Sequence, residues 1–338
     1  MTRIAIIGAG AWGTALAQAA RAAGRDVGLW AHDPAVAEAI AREGGNTRYL
    51  PEVPLTPGIA ATSDLAVATR GADAVVLATP AQRLREVAGR LAPSVPRGVP
   101  TVIAAKGIEA DTGLLMREVL AEAMPDAPPA VLAGPTFAGE VARGLPAAAT
   151  LAADDLDRAD ALVELLGSRA FRLYASADLV GAQLGGAVKN VVAIAAGIVA
   201  GRGLGENARA ALITRGLAEM TRLGAARGAD PATLAGLSGL GDLSLTCTGI
   251  ASRNYTLGLA LGEGMSLHEV LAARKSVTEG IFTAGALTRM AAANGVDMPI
   301  AAAVDGVVNG GEPVAAVIER LLARPFRAEH DPGGQAAG

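Results

Sequence analysis

The lysines of this sequence are the first residues to consider for chemistry. Only three of its 29 basic residues are lysines, namely Lys106, Lys189 and Lys275. Lys189 lies in an otherwise apolar helical run, Gly185-Gly186-Ala187-Val188-Lys189-Asn190-Val191-Val192. Burial of an ammonium group without a partner is costly, and it shifts the pKa of a lysine toward neutrality, where the group works well as a general acid–base. Lys189 is therefore the candidate catalytic residue; the alternative is a buried structural ion pair.

A glycine pattern near the N-terminus indicates a dinucleotide site. The segment Gly8-Ala9-Gly10-Ala11-Trp12-Gly13 fits G-x-G-x-x-G, directly after a predicted strand and at the start of a predicted helix. Such a turn lets the backbone approach a pyrophosphate, which the N–H groups of the helix N-terminus bind. We expect a nicotinamide dinucleotide here; the alternative is an ordinary glycine-rich turn.

The choice between NAD and NADP depends on His32-Asp33, at the end of the second predicted strand. An acidic residue there favours the ribose 2′-hydroxyl of NAD, and a cation accommodates the 2′-phosphate of NADP. Asp33 is equally suited to be the N-cap of the next helix, with Pro34 at its first position. His32 then faces the 2′ substituent, and we predict use of both cofactors. The variant His32→Ala is expected to raise the KM for NADPH more than for NADH.

Polar residues also follow three later predicted strands. These are Thr79-Pro80, Lys106-Gly107 and the segment Gly134-Pro135-Thr136-Phe137-Ala138. Ligands of open parallel sheets bind beyond the carboxyl ends of the strands. We therefore expect Lys106 to face a ligand, although a solvated loop lysine is the alternative.

The second half of the chain contains two polar segments, Gly239-Leu240-Gly241-Asp242 and Ser252-Arg253-Asn254. Asp242 is a candidate partner for Lys189, and Arg253 with Asn254 is suited to hold a phosphate by charge-assisted hydrogen bonds. Surface loops are the alternative for both. Cys247 is more consistent with a small buried residue than with a nucleophile.

These residues require a scaffold, which hydrophobic patterning predicts to be α/β followed by all-α. Residues 1–178 alternate short apolar strands with helices, which is typical of a Rossmann-type parallel sheet. Residues 179–326 repeat Ala, Leu and Gly at helical spacing and predict an all-helical substrate domain, and residues 327–338 predict a flexible tail. Strands are predicted over 3–7, 26–30, 73–79, 101–105, 130–133, 147–152 and 171–174. Helices are predicted over 11–23, 33–42, 80–91, 179–200, 207–227, 256–261, 267–273, 283–294 and 313–322, and Ser266 with Glu269 predicts a capping box.

Composition excludes several classes of function. A net charge of −4 and a pI of about 5.5 argue against nucleic-acid binding. One cysteine excludes an intramolecular disulfide framework, and with three histidines we expect no metal site. The run 179–201 is apolar enough for a membrane, but Gln183, Lys189 and Asn190 near its middle favour a buried helix and no membrane insertion. With one cysteine and no export signal, we expect the cytoplasm.

Together these motifs resemble the bacterial NAD(P)-dependent glycerol-3-phosphate dehydrogenase family, from about Arg3 to Arg324. The resemblance is carried, in order, by Asn46-Thr47-Arg48-Tyr49-Leu50-Pro51, Lys106-Gly107-Ile108-Glu109, Gly134-Pro135-Thr136-Phe137-Ala138, Gly186-Ala187-Val188-Lys189-Asn190, Gly205-Glu206-Asn207-Ala208-Arg209-Ala210-Ala211 and Gly241-Asp242 through Ser252-Arg253-Asn254. It implies reversible reduction of dihydroxyacetone phosphate to sn-glycerol 3-phosphate with NADH or NADPH, a step that supplies glycerophospholipid synthesis. It also implies that Lys189 is the catalytic acid–base, so that Lys189→Met is expected to remove turnover and leave the fold intact. We expect a homodimer.

The family's site residues can be placed on this sequence. The resemblance implies that the substrate is bound by Lys106, Gly134, Thr136, Lys189, Asp242, Ser252, Arg253 and Asn254. For the cofactor, the glycine motif, the strand end and the resemblance together predict Gly8, Gly10, Ala11, Trp12, Gly13, His32, Asp33, Lys106, Ala138, Arg253, Val277 and Glu279.

The sequence departs from the family pattern at four places. Ala11 stands where the family usually has Ser, Gln183 replaces a usual Glu, and Thr278 interrupts a usual Val-Val-Glu-Gly. Gly249-Ile250 replaces a more polar pair. These departures bear on cofactor affinity rather than on the proposed catalytic residue.

Two other functions fit parts of the pattern. A sugar-nucleotide dehydrogenase working through a thiohemiacetal would use Cys247 as its nucleophile. A non-catalytic NAD(P)-sensing protein would share the glycine turn but would not need Lys189 in an apolar helix.

Overall fold

An eight-stranded β-sheet forms the core of the N-terminal part of the chain. The structure, a computed structural model, describes residues 2–274, 278–326, 328 and 329. In these residues the strands are β1 (Arg3–Ile7), β2 (Asp26–Trp30), β3 (Gly45–Asn46), β4 (Leu50–Pro54), β5 (Ile59–Thr62), β6 (Ala74–Leu77), β7 (Thr101–Ile103), β8 (Pro129–Ala133), β9 (Ala147–Ala153) and β10 (Phe171–Ser176). The order across the sheet is β10-β9-β8-β7-β6-β1-β2-β5, and β3 pairs with β4 in a separate hairpin.

The predicted Rossmann-type sheet is confirmed, with one correction. Every pair of neighbouring strands is parallel except β8 and β9, which are antiparallel with Ala130 opposite Ala153. The reason lies in the connection between them, whose helix has five residues. Such a helix rises only about 7.5 Å, which is less than the length of β8. The helix therefore does not carry the chain back to the end of the sheet where β8 began, and β9 runs antiparallel to β8.

Helices cover the sheet and complete the α/β alternation. They are α1 (Ala11–Ala22), α2 (Pro34–Glu43), α3 (Leu65–Thr69), α4 (Leu84–Leu91), α5 (Met116–Ala123), α6 (Ala138–Ala142) and α7 (Leu156–Leu166). The central strands bury nearly every residue, including Ile4, Ile6 and Leu29, because both faces of a parallel sheet are covered. The pattern did not predict the hairpin, β5, α3, α5, α6 or α7, most of which are short.

The C-terminal part of the chain is helical, as predicted. Its helices are α8 (Leu179–Gly201), α9 (Glu206–Ala226), α10 (Pro231–Ala235), α11 (Asp242–Thr248), α12 (Arg253–Gly262), α13 (Leu267–Ala272), α14 (Glu279–Ala293), α15 (Pro299–Val308) and α16 (Val314–Leu322). A short π-helical turn, Leu237–Gly241, leads into α11. The predicted capping box at Ser266 and Glu269 is confirmed at the start of α13.

Helix α8 is the buried centre of this helical part. Its glycines allow close packing: a Cβ on Gly197 would lie 2.0 Å from the Tyr255 carbonyl oxygen, and one on Gly258 of α12 would lie 1.9 Å from the Ile194 carbonyl oxygen. Among the described residues, α8 is the one helix long and apolar enough to span a membrane, but 83% of its most apolar window is buried in protein. The prediction of a buried core helix is confirmed.

A buried carboxyl group joins α9 to the start of α15. Glu219 accepts hydrogen bonds from the backbone N–H groups of Ile300 at 2.7 Å and Ala301 at 3.2 Å. It therefore satisfies donors that a helix N-terminus leaves without intrahelical partners. Burial nevertheless dominates and raises the pKa of the Glu219 carboxyl to about 7.

The described chain forms two compact units. The first runs to Lys106 and includes Met116–Ala182; the second consists of Gly107–Leu115 and the chain from Gln183 onward. The sequence places the change of domain after residue 178, and this boundary between independent domains stays a prediction. The predicted tail, residues 327–338, lies outside the described residues apart from 328 and 329.

Candidate active site

In the glycine turn after β1, the space for a side chain is blocked at Gly8 and Gly13 but open at Gly10. Gly8 has a φ of +119°, and a Cβ there would lie 2.8 Å from the Ala78 carbonyl oxygen. A Cβ on Gly13 would lie 1.8 Å from the Gly8 carbonyl oxygen, so these two glycines are required by the protein's own packing. A Cβ on Gly10 would meet no described atom within 4 Å. The turn is thus open at Gly10, where a ligand can approach the backbone.

The first turn of α1 suits an anionic ligand. Its N-cap is Gly10, and no side chain caps the helix, so the backbone N–H groups of this turn are available to a phosphate. The indole Nε1 of Trp12 is buried and has no hydrogen-bond partner among the described residues. An open backbone turn with an unsatisfied buried donor beside it fits a dinucleotide.

Asn46 holds the glycine turn in place, a role that the sequence did not reveal. This side chain is 1% exposed. Its amide donates to the Ala9 carbonyl oxygen at 2.9 Å and to Thr14 Oγ1 at 2.8 Å. Its own oxygen accepts the backbone N–H of Tyr49 at 3.2 Å. Asn46 opens the first segment of the family resemblance, and that was the available signal.

The residues that follow β2 combine a helix cap with an ion pair. Asp33 is the N-cap of α2, as one of the two interpretations predicted, and accepts the Ala35 N–H at 3.0 Å. Its other oxygen lies 2.6 Å from Arg48 Nη1. His32 is exposed and packs edge-on against Trp30, with ring centroids 6.0 Å apart. The roles of His32 and Asp33 toward a cofactor stay predictions.

Lys106 and the segment after β8 lie together at the carboxyl edge of the sheet. Lys106 Nζ donates to the Gly134 carbonyl oxygen at 3.0 Å, and Thr136 Oγ1 donates to the same oxygen at 3.1 Å. Ala138 begins α6 directly afterwards. The structure therefore brings together three residues predicted to bind substrate, Lys106, Gly134 and Thr136, and Lys106 and the adjoining Ala138 are also predicted to bind cofactor.

Lys189 forms the predicted ion pair with Asp242. Lys189 is 7% exposed and Asp242 is 1% exposed. Lys189 Nζ lies 2.6 Å from Asp242 Oδ1 and 2.9 Å from Thr246 Oγ1, and the Thr246 hydroxyl lies 3.3 Å from the same carboxylate oxygen. We call these three residues the lysine cluster. A carboxylate this close stabilises the ammonium form, which is the form that can donate a proton.

Local structure explains how Asp242 and Thr246 reach the lysine. They are four residues apart within α11, which begins at Asp242, and therefore share one face of that helix. The π-helical turn before α11 packs tightly on α8, since a Cβ on Gly185 would lie 2.2 Å from the Ser238 carbonyl oxygen. Thr246 was not predicted; its i, i+4 spacing from Asp242 was the signal.

Cys247 adjoins the lysine cluster in sequence but differs from it chemically. The thiol is fully buried, as predicted, and burial raises its pKa to about 12. Thiolates rather than thiols act as nucleophiles. This observation disfavours the thiohemiacetal route of a sugar-nucleotide dehydrogenase.

In the segment Ser252-Arg253-Asn254, the two outer side chains are buried and hydrogen-bonded within the protein, whereas Arg253 is exposed to solvent. Ser252 caps α12 by accepting the Tyr255 N–H at 3.2 Å. The Asn254 amide donates to Asn190 Oδ1 at 2.9 Å and accepts the Gly280 N–H at 3.1 Å, so it joins three helices. Arg253 is exposed at the first position of α12. Of these three residues, Arg253 is the one with an exposed charged group for a phosphate.

The segment before α14 contains one departure from the family pattern. Thr278 is buried, and its hydroxyl lies 3.5 Å from Arg274 Nη1. The same guanidinium donates to the Arg253 carbonyl oxygen at 2.7 Å. Glu279 begins α14, and Val277 lies outside the described residues. In the described residues, no group of three His, Cys, Asp or Glu side chains is placed to hold a metal ion.

An open glycine turn on a doubly wound sheet and a buried lysine–carboxylate pair in a helical unit define a nicotinamide-dependent oxidoreductase. The family model described as the N-terminus of NAD-dependent glycerol-3-phosphate dehydrogenase matches residues 3–159, and the model for its C-terminus matches residues 178–319. The chain therefore belongs to the NAD-dependent glycerol-3-phosphate dehydrogenase family.

Individual relatives agree with this assignment. A glycerol-3-phosphate dehydrogenase [NAD(P)+] of Rhodospirillum rubrum is 57% identical over 326 residues, which are 96% of this chain and 93% of the relative. One from Parvibaculum lavamentivorans is 54% identical over 327 residues, 97% of this chain and 98% of the relative. A solved glycerol-3-phosphate dehydrogenase of Coxiella burnetii superposes with a TM-score of 0.91 at 38% identity, covering 96% of this chain and 99% of that one.

Proposed function

We propose that this chain catalyses the reversible reduction of dihydroxyacetone phosphate to sn-glycerol 3-phosphate, using NADH or NADPH. The observation that carries the proposal is the lysine cluster: a buried ammonium held by Asp242 and Thr246, in a member of this dehydrogenase family. When bound, the reduced nicotinamide supplies the hydride that the carbonyl carbon receives.

Lys189 supplies the proton of the reaction. As the ketone is reduced, negative charge develops on its oxygen, and the Lys189 ammonium transfers a proton to that oxygen to give the alcohol. Asp242 holds the Lys189 ammonium through the ion pair before the transfer, and the Thr246 hydroxyl orients it. In the reverse direction the neutral amine of Lys189 accepts the proton of the glycerol phosphate hydroxyl.

Arg253 holds the substrate phosphate in this proposal. The substrate is a small anion and the chain has a net charge of −4, so binding requires a local cation. The planar guanidinium matches phosphate oxygens in a bidentate geometry. Lys106, Gly134, Thr136, Asp242, Ser252 and Asn254 complete the proposed substrate contacts.

The glycine turn and the end of β2 hold the cofactor in this proposal. Gly8, Gly10, Ala11, Trp12 and Gly13 bind the pyrophosphate, and His32 and Asp33 meet the adenosine ribose. Lys106, Ala138, Arg253, Val277 and Glu279 are the further proposed contacts. Ala11 lacks the hydroxyl that the family usually has there, so one hydrogen bond to the pyrophosphate is replaced by backbone contacts alone.

We also propose a cytoplasmic homodimer that binds neither nucleic acid nor membrane stably. The negative net charge supports the first exclusion, and the burial of α8 supports the second. Product formed there feeds glycerophospholipid synthesis.

An assay of cofactor oxidation at 340 nm tests the proposed reaction. Dihydroxyacetone phosphate should give turnover with NADH, NADPH or both, and dihydroxyacetone, which lacks the phosphate, should give very little. Turnover with 2-oxo acids but none with dihydroxyacetone phosphate would contradict the proposal. Iodoacetamide should leave the rate unchanged, because Cys247 is buried and protonated.

A further inference from the structure

The guanidinium of Arg48 pairs with Asp33, the residue that caps α2 after β2. Arg48 Nη1 is 2.6 Å from Asp33 Oδ2, and the Arg48 side chain is 59% exposed. We infer that Arg48 is the residue through which this chain accepts the 2′-phosphate of NADP. The inference rests on the proposed use of a nicotinamide cofactor and names the specificity-determining residue of that site.

The position of the pair follows from strand register. β1 and β2 are parallel neighbours with Ile7 opposite Trp30, so the glycine turn and Asp33 leave the sheet at the same edge. Adjacent strands are about 4.8 Å apart. In dinucleotide-binding sheets the group at the end of the second strand meets the adenosine ribose, where an acidic residue binds the 2′-hydroxyl and a nearby arginine accommodates a 2′-phosphate. Here both residue types stand together.

A buried amide places Arg48 at this edge. Arg48 lies in the turn between β3 and β4, two residues after Asn46. Asn46 bonds the glycine turn through the Ala9 carbonyl and fixes the hairpin turn through the Tyr49 N–H. The Arg48 guanidinium also lies over the Tyr49 ring, 5.3 Å from its centroid. The same residue, Asn46, therefore shapes the pyrophosphate turn and positions the arginine.

Charge explains how one pair serves two cofactors. A phosphate monoester carries about −1.5 to −2 charges near pH 7, and an unpaired Asp33 carboxylate would repel it. Arg48 neutralises that carboxylate through Nη1, and a guanidinium has five N–H donors, enough to bind a phosphate as well. With NAD, the Asp33 oxygens accept the ribose hydroxyl. Because exposed salt bridges contribute little, the Arg48 side chain is free to adjust between the two states.

His32 is the competing residue for this role. It is adjacent to Asp33 and exposed, and the sequence alone favoured it. The planar guanidinium can donate two parallel N–H groups to two phosphate oxygens. An imidazole can direct only one N–H group at the same phosphate. The two residues can be separated by comparing their alanine variants.

Calorimetric titration with adenosine 2′,5′-bisphosphate and with 5′-AMP isolates the 2′-phosphate without requiring turnover. Arg48→Ala should bind the bisphosphate and NADPH about 10–100-fold more weakly, because charge-assisted hydrogen bonds are lost. Its affinity for 5′-AMP and NADH should change by no more than about threefold. Arg42→Ala is the matched control: Arg42 is an exposed arginine of α2 that pairs with Glu38 and Glu43, and its loss should change neither ligand's affinity.

Several results would overturn the inference. Equal losses for the bisphosphate and 5′-AMP would show that Arg48 only supports the hairpin, and unchanged affinity for the bisphosphate would remove it from the site. A selective loss confined to His32→Ala would assign the 2′-phosphate to His32. The proposed reaction is tested separately: absence of turnover by the wild type with both reduced cofactors contradicts the reaction but leaves the binding comparison valid.

Discussion

Replacing Lys189 by methionine removes the proton donor and keeps the side-chain volume. The ammonium contacts to Asp242 Oδ1 at 2.6 Å and Thr246 Oγ1 at 2.9 Å are lost. Loss of general acid–base assistance lowers kcat by about 10²–10⁴-fold. The missing positive charge near the developing oxyanion adds to that loss.

We expect the same variant also to destabilise the fold, in contrast to the prediction from the sequence alone. Asp242 is 1% exposed, and removal of its partner leaves a buried carboxylate without its counter-ion. Breaking a buried ion pair from one side costs about 3–5 kcal/mol, against a total stability of about 5–15 kcal/mol for a typical protein. From the buried ion pair we therefore expect a clear drop in the thermal midpoint, whereas the sequence alone predicts an intact fold; measurement of the midpoint decides between the two predictions.

A double variant separates chemistry from stability. In Lys189→Met with Asp242→Asn, the neutral amide oxygen still accepts the Thr246 hydroxyl, and the lysine cluster no longer carries a charge. Its thermal midpoint, measured by circular dichroism, should recover most of the loss, whereas kcat should stay at the level of the single variant. Turnover within about tenfold of wild type in either folded variant, when acid–base assistance is worth at least about 10²-fold, would refute the assignment of Lys189.

Three further predictions follow from other parts of the structure. Arg253→Ala should lower kcat/KM for dihydroxyacetone phosphate by about 10²-fold or more and should hardly change the residual rate with dihydroxyacetone; equal losses on both would place Arg253 at the cofactor or in the fold. Gly10→Ala should weaken NADH binding in a fluorescence titration at unchanged thermal midpoint, whereas Gly13→Ala should lower the midpoint, because only the Gly13 Cβ would collide with backbone; equal midpoints for the two would contradict this. Burial raises the pKa of Glu219 in the folded protein to about 7, from 4.5 when unperturbed. The free energy of unfolding should therefore fall by roughly 3 kcal/mol as the pH rises from below 4.5 toward 7. Glu219→Gln should remove this pH dependence, measured by denaturant unfolding at a series of pH values.

Patterns of neighbouring residues determine much of this protein by themselves. The apolar runs of β1, β2 and β6 and the glycines of the first turn act locally, so their spacing predicts a dinucleotide fold. Lys189 in α8 can be recognised from the sequence as a candidate functional residue, because burial of its charge in an apolar helix is costly without a partner. The resemblance to one dehydrogenase family then names the reaction.

The tertiary structure decided what residues distant in sequence do for one another. Asp242 was a candidate partner of Lys189 from the sequence. The spacing of Thr246 from Asp242 allowed it to share that face, but its contact with Lys189 is established only by the tertiary structure. Asn46 and Arg48 were known from the sequence only as part of a segment of the family resemblance, whereas in the structure Asn46 bonds the glycine turn and Arg48 pairs with Asp33. The reversal of β9 likewise follows from the short rise of α6 rather than from any pattern in β9 itself. Hydrophobic periodicity shows which face of a helix or strand is buried. Which residues of other elements contact that face depends on how the elements pack, and no local pattern in a single sequence specifies this packing.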